Sequence, residues 1–483
     1  MSKVTPDDPR YPTLVRGFNL RWVGTPSYVQ VCSETQEVVD AVQLAVDSGL
    51  RVTVQSGGHC YENFAVGNTG GVIIDMAGFN QVYYDDEMQA FCIEAGCTLW
   101  NVYWNLYKEY GVCIPGGSCY SVGAGGHISG GGYGLLSRKF GLTVDWLYGV
   151  EMVVVDAAGG AEAVVVTDSS TDPEDQNLLW GCQGGGGGNF GIITRFFFRE
   201  LPSAPPFAYV QNLAWNWSET SQNQFTTLVQ RYGAFLQQNS APDSPYDGLF
   251  TLLHLTQQAA SQFTLTAQYA GDRHELLDEF VNYMNGDGRA GRIVAQTHAV
   301  GRHFFPLRTT RKTPMPWLYA TQTLDGSGPN QRGKYKSAYM TQPFPDSQIQ
   351  TIYNWLTDSC YANSQALLQV DSYGCSINRI APDATAVPQR SSIMKLQYQT
   401  YWTDPKDDAL NLDWIRGFYN EMYGPDGPMP DGTMDGCYVN YPDSDLQNWA
   451  YLYYLGNYPR LQQVKKTWDP NNIFNHAQSI QLP

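Results

Sequence analysis

Three glycine-rich loops in the first 200 residues limit what this chain can build. They are Ser56-Gly-Gly-His59, the long run Pro115-Gly-Gly-Ser-Cys-Tyr-Ser-Val-Gly-Ala-Gly-Gly-His127 with Gly130-Gly-Gly-Tyr-Gly134, and Gly184-Gly-Gly-Gly-Gly-Asn-Phe-Gly191. Glycine has no Cβ, so its backbone N–H groups approach phosphate oxygens and form anion-binding concavities. One such loop says little. Three that follow or flank strands suggest a single long ligand laid across several loops, as a dinucleotide would be.

The flanking segments read as short elements. Ser33-Glu-Thr-Gln36 is a capping-box pattern, and Val38, Val39, Val42 and Val46 follow at helical spacing toward Gly49. Arg51 to Gln55 predicts a strand running into the first loop, and Gly71 to Asp75 predicts another. Trp100 to Tyr110 reads as a helix stopped by Gly111. Gly149 to Asp156 and Ala161 to Val166 form a predicted hairpin across Ala-Ala-Gly-Gly, and Gly191 to Phe198 is a further strand. Residues Gly186 to Gly191 match G-x-G-x-x-G in form, but a Phe-rich strand follows where a Rossmann motif needs a helix. There is no G-x-x-x-x-G-K-[ST] and no H-E-x-x-H. The histidines at 59, 127, 254, 274, 298, 303 and 476 show no ligand spacing, so no metal site is expected.

A chain of 483 residues suggests two packed units. Composition shifts at Leu201-Pro-Ser-Ala-Pro-Pro-Phe207. Beyond it the glycine loops thin out. Alternating segments such as Phe263 to Tyr269 mix with helical ones such as Ser347 to Asp358, which predicts a second α+β domain. The expected division is 1–204, 205–437 and a last stretch 438–483. A net charge of −17 argues against nucleic acid or an anionic membrane as partner. No stretch approaches the roughly 20 apolar residues of a membrane span, and Met1 to Arg10 has no apolar leader, so a cytoplasmic location is expected. The ten cysteines follow no disulfide or metal spacing and are expected to be mostly reduced and buried. Asn216-Trp-Ser218 is read as a chance sequon.

Several segments together resemble the berberine-bridge-type flavoprotein oxidases, which share the FAD-binding fold of vanillyl-alcohol oxidase. They are Arg51 to Cys60, Pro115 to His127, Gly130 to Gly134, Gly141-Leu-Thr-Val-Asp145, Gly188 to Ile193, Tyr438-Val-Asn-Tyr-Pro-Asp443 and Asp469-Pro-Asn-Asn-Ile-Phe474. The resemblance spans nearly the whole chain and leans toward bacterial members that tailor natural products. It implies an α+β architecture. Residues 1–204 would form the first part of the FAD-binding domain, and 438–483 would return to it. Between them, 205–437 would supply a substrate domain with a large antiparallel sheet and helices.

The resemblance also implies site residues. His59 would bond the flavin 8α-methyl and Cys119 the flavin C6, giving FAD attached covalently at two positions. Cys60, directly after His59, is the alternative thiol, and the matching loop favours Cys119. Ser56, Gly57, Gly58, Cys60, Gly116, Gly117, Ser118, Gly123, Gly125, Gly126, His127, Gly131, Gly132, Gly188, Asn189, Gly191, Ile192, Ile193 and Asn475 would surround the cofactor. Tyr438 and Tyr441 match a catalytic tyrosine pair, Asp371 a base-supporting aspartate and Tyr373 a further active-site tyrosine. A phenol with an ordinary pKa of about 10 needs help to act as a base. A second phenol, a cationic neighbour or the flavin environment could supply it. As a strand, residues 438 and 441 would point to opposite faces, so a twist or bulge is required. The implied reaction is oxidation of an alcohol or hemiacetal of a sugar or polycyclic natural product, with hydride passing to FAD and dioxygen becoming hydrogen peroxide. The alternative is a mono- or oligosaccharide oxidase acting on free carbohydrate. A small-molecule substrate and dioxygen are the expected partners, and the protein is expected to be a monomer or homodimer.

Overall fold

A computed structural model describes residues 2–286, 292–293, 297–300, 303–306 and 314–483, with 292–293, 297–300 and 303–306 described by backbone alone. His298 and His303 therefore have side chains outside the described residues. The architecture is α+β, as expected.

The first 200 residues supply two small sheets. One runs in the order Ser2–Val4, Tyr28–Val31, Val72–Asp75, Val52–Gln55, and its last three strands are parallel. A parallel strand covered on both faces needs apolar residues throughout. Val72-Ile-Ile-Asp75 is buried at every position. Helix Thr35–Asp47 turns Val38, Ala41, Val42 and Ala45 inward. Its cap differs from the expected one. The N-cap is Glu34, so the residue one turn in is Glu37, and Ser33 gives its N–H and hydroxyl to Glu37 Oε2 at 2.9 and 3.2 Å. Gln36 turns to Asp40 instead.

The second sheet is antiparallel, in the order Val82–Asp85, Ala90–Glu94, Ile192–Phe198, Gly149–Val155, Ala161–Thr167. The predicted hairpin lies here, paired from Gly149↔Thr167 to Val155↔Ala161. The helix expected over 100–110 is two pieces. Leu99–Asn105 is α-helical and capped by Thr98 and Asn101, and Leu106–Tyr110 is a π-helical turn ending at Gly111, whose φ is 68°.

The large antiparallel sheet runs Arg292–Ile293, Phe207–Asn216, Gln262–Ala270, Leu249–Thr256, Leu367–Ser372, Met394–Trp402, Arg332–Met340. Side chains alternate across it with period two. Leu253, Leu255, Leu368, Val370, Leu396 and Tyr398 are buried on one face. Helices pack there: Tyr232 of Gln222–Asn239 donates to Val370 O, and Tyr398 sits edge-on to Phe418 and Tyr419 of Asp408–Tyr423. The other face presents Leu252, His254, Gln369, Asp371, Gln397 and Gln399 to the glycine loops, with Lys395 buried in the same row.

After Tyr438 the chain runs back to the first sheet, where Phe474 bridges Val52 in parallel. The Asp469-Pro-Asn-Asn-Ile-Phe474 motif has a mechanical reason. Asp469 accepts the N–H groups of Ile473 and Phe474 at 2.7 and 2.9 Å and the Lys465 ammonium at 2.6 Å. The same ammonium donates to Asn189 O at 2.7 Å, so the turn is fastened to the third glycine loop. All ten cysteines are free, and seven are buried. Among the described residues, no helix is long and apolar enough to cross a membrane.

Candidate active site

A cavity of about 490 Å³ lies between the three glycine loops and the polar face of the large sheet. It gathers most of the predicted residues. Ser56, Gly57, Gly58, His59, Cys60, Gly117, Ser118, Cys119, Gly123, Gly125, Gly126, His127, Gly188, Asn189, Gly191, Ile193, Asn475, Asp371, Tyr438 and Tyr441 all line it.

Five predicted residues do not line the cavity, and each has a packing reason. Gly116 packs beneath Tyr103, where a Cβ would stand 2.7 Å from the phenol oxygen, and its carbonyl is crossed by Gly134, whose own Cβ would stand 1.7 Å from it. Gly131 and Gly132 hold φ values of 120° and 72°, and Gly132 O accepts the N–H and hydroxyl of Thr143, both at 2.9 Å. Ile192 is buried in the core while its neighbour Ile193 faces the cavity, as alternation requires. Tyr373 is fully buried behind the wall, and its hydroxyl donates to Gln389 O at 3.1 Å.

The first two loops meet backbone to backbone. A Cβ on Gly57 would lie 2.3 Å from Gly123 N, so neither loop tolerates a side chain there. His59 stacks on Phe18 with ring centroids 4.7 Å apart, and its Nε2 lies 2.9 Å from Ser121 Oγ. Burial pushes the His59 imidazole down to about 4, with Asp325 opposing, so the ring is neutral near pH 7. Burial pushes the Cys119 thiol up to about 11, and Asp325 adds to the shift. Cys60 differs: burial raises its thiol, while the nearby backbone N–H groups of Glu62, Phe64 and Ala65 pull the other way.

Tyr438 and Tyr441 are not in a strand. Tyr441 N–H donates to Tyr438 O at 2.9 Å, closing a tight turn that sends both rings to the cavity, 5.0 Å apart and edge-on. A turn, rather than a twisted strand, thus brings the pair together. Tyr438 is almost fully buried, and its oxygen receives the Asn440 side-chain amide at 3.0 Å, with the backbone N–H groups of Tyr133 and Gly132 nearby. Burial raises its phenol to about 12, and those donors pull the other way. Tyr441 is only half-buried and faces the cavity.

Lys395, which no motif flagged, is the cation of the site. Its ammonium donates to Asp371 Oδ2 at 2.8 Å and to the Tyr441 hydroxyl at 2.9 Å. It also lies over the Tyr441 and Tyr133 rings at 4.3 and 4.5 Å. Burial lowers its pKa, with Asp371 opposing. Burial holds the Tyr441 phenol well above its ordinary value, while the ammonium donated to its oxygen stabilises the phenolate. An amide ladder continues from this pair. Gln369 donates to Asp371 Oδ1 at 2.8 Å, Gln399 donates to Gln369 and Gln397, and Tyr401 donates to Gln399 at 2.7 Å. The sequence did hold a signal for these residues. In Met394–Trp402, Lys395, Gln397, Gln399 and Tyr401 occupy alternate positions of a strand that is buried on both faces.

Comparison with known proteins settles the family. An FAD binding domain matches residues 26–160, and a berberine and berberine-like domain matches 437–481. The chain is 41% identical to hexose oxidase of Chondrus crispus, over 99% of this chain and 94% of that one. It is 40% identical to the aclacinomycin-N/aclacinomycin-A oxidase of Streptomyces galilaeus, over 100% and 90%. The chain belongs to the berberine-bridge-like family of FAD-linked oxidoreductases. Among solved structures, glycopeptide hexose oxidase complexed with teicoplanin superposes with a TM-score of 0.92 at 38% identity, over 99% of this chain and 98% of that one. An oxidoreductase in complex with pregilvocarcin superposes at 0.93 with 32% identity, over the full length of both chains. The fold is the FAD-binding fold of the vanillyl-alcohol oxidase family.

The cavity of this berberine-bridge-like protein fits FAD chemically. Among the described residues, no acceptor takes the N–H groups of Gly57, Gly58 and His59, the donor set a pyrophosphate needs. Gly126 and Gly188 leave room where a Cβ would stand in the cavity. Two nucleophilic side chains, His59 and Cys119, border the same space as Tyr441. Among the described residues, no group of His, Cys, Asp and Glu could hold a metal ion.

Proposed function

We propose that the protein oxidises an alcohol or hemiacetal carbon of a sugar or polycyclic natural product, with FAD carried on His59 and Cys119. In this reading residues 1–204 and 438–483 hold the cofactor, and 205–437 form the substrate wall. Bound FAD supplies a hydride acceptor at N5 and passes the electron pair to dioxygen as hydrogen peroxide.

The observation that carries the reading is the buried Lys395 ammonium donating to the hydroxyl of Tyr441, which lines the cavity. Tyr441, held as the phenolate by the Lys395 ammonium, takes the proton of the substrate hydroxyl and becomes the phenol as the carbon gives up hydride. Asp371 keeps Lys395 charged and aimed, and Tyr438 packs edge-on to fix the Tyr441 ring. The amide ladder of Gln369, Gln397 and Gln399 offers donors and acceptors to neighbouring hydroxyls. That polar wall, with the hexose oxidase relative, also favours the second reading, an oxidase of free mono- or oligosaccharides.

Anaerobic mixing with candidate substrates tests the proposal. A hexose, or a glycoside bearing one, should bleach the flavin absorption and yield peroxide once air is admitted. Tyr441→Phe should slow the bleaching by about 10²-fold or more. Failure of sugars and glycosylated polycyclic compounds alike to bleach the flavin would reject the reading.

A further inference from the structure

The two side chains assigned to the flavin are themselves held by a loop from across the cavity, Asp325-Gly-Ser327. Asp325 Oδ1 accepts the N–H of Tyr120 at 3.0 Å, one residue past Cys119. It also accepts the N–H of Ser327 at 2.9 Å, which closes the loop on itself. Ser327 Oγ then accepts twice from Ser121, its N–H at 3.1 Å and its hydroxyl at 2.9 Å. A hydroxyl has one hydrogen. Having given it to Ser327, Ser121 Oγ acts as acceptor toward His59 Nε2 at 2.9 Å. Nε2 therefore carries the ring hydrogen, and Nδ1 keeps its lone pair. Gly326 completes the contact, since a Cβ there would stand 3.0 Å from Cys119 Sγ.

We propose that Ser121, Ser327, Asp325 and Gly326 are positioning residues for covalent attachment of the flavin: the two serines present His59 Nδ1, and Asp325 with Gly326 leaves Cys119 Sγ free to reach the ring. This rests on the assignment of His59 and Cys119 above. The chemistry balances with groups at hand. Each attachment joins Nδ1 or Sγ to a flavin carbon. That carbon gives up a proton, and the protein group gives up its own proton, from Nε2–H or S–H. The electron pair passes into the ring, and dioxygen, the oxidant of the proposed reaction, removes it as hydrogen peroxide. The Nε2 proton has a path outward, because Ser121 is exposed. The positioning loop lies in the 205–437 stretch, so attachment waits until that part has folded against the first.

Peptide mapping of the holoprotein separates the two attachments. The parent should yield one flavin species joining the His59 and Cys119 peptides. Ser121→Ala and Ser327→Ala should lower the fraction joined to His59 at least threefold and leave the Cys119 bond. Ser121→Thr, which returns a hydroxyl, should recover the His59 bond. Gly326→Ala should do the reverse, losing the Cys119 bond and keeping His59. Gly326 lies outside the left-handed region, so its backbone accepts alanine. A general folding defect would lower both attachments together, and equal loss of both would overturn the proposal. So would parental attachment in all the variants. A parent lacking the doubly joined species would overturn the cofactor assignment and this proposal with it.

Discussion

Lys395→Met separates stability from chemistry at this site. Lys395 and Asp371 have side chains 0% and 3% exposed, and their ion pair is 2.8 Å long. Methionine keeps the stem and removes the charge, leaving the Asp371 carboxylate buried without its partner. Breaking a buried pair in this way costs about 3–5 kcal/mol of folding free energy. The second effect falls on Tyr441, which loses the one ammonium donated to its oxygen. Without that donor less of Tyr441 stands as the phenolate; a preorganised donor on an anion contributes about 3–4 kcal/mol, so flavin reduction should slow by about 10²–10³-fold. The double variant Lys395→Met with Asp371→Leu removes both charges and should recover most of the stability, because an apolar replacement of a buried pair is often neutral. It should not recover the rate. Chemical unfolding reads the first effect, and anaerobic stopped-flow bleaching across pH reads the second. The apparent pKa of the rate should move upward in both variants. A single variant that reduces its flavin within tenfold of the parent rate would refute the role given to Lys395. So would a double variant that regains the parent rate.

Three further outcomes follow from the geometry. Gly134→Ala places a methyl 1.7 Å from Gly116 O and should separate the loop bearing Cys119, seen as loss of soluble, flavin-bearing protein. Lys334→Met removes an ammonium that is 1% exposed and lies 2.5 Å from Glu62 and 2.6 Å from Asp443, the residues beside Tyr61 and near Tyr441. It should lower stability by about 3–5 kcal/mol in chemical unfolding, whereas Lys406→Met, at an exposed and solvent-screened pair, should leave the unfolding midpoint nearly where it is. Burial pushes the His127 and His476 imidazoles down to about 4, from about 6.5 when unfolded. Between those values the unfolded chain binds more protons than the native one, so stability should be unaffected above pH 6.5 and fall progressively toward pH 4. An unfolding midpoint constant from pH 7 to pH 4 would contradict this.

The sequence placed the cavity better than it placed the chemistry inside it. Glycine loops are local features, and their need for close backbone approach survives in the fold as the 2.3 Å clash a Cβ on Gly57 would make with Gly123. The hairpin at Gly149–Thr167 was legible for the same reason, because its strands and turn are contiguous. Lys395 shared the alternation of its strand, but its role was not legible. Its meaning comes from the register that sets it opposite Asp371, and from a turn some 45 residues later that brings in Tyr441. Tyr373 illustrates the reverse case. It lies two residues from Asp371, yet its hydroxyl is spent on Gln389 O behind the cavity wall. The Ser33 cap shifted by one because the choice between Gln36 and Glu37 depends on where the helix begins.

Acid denaturation followed by peptide mapping tests the central assignment most directly. Precipitated protein should stay yellow, and digestion should release one flavin species bonded to both the His59 and the Cys119 peptides. Free flavin in the supernatant, or a flavin peptide carrying Cys60 in place of Cys119, would contradict it.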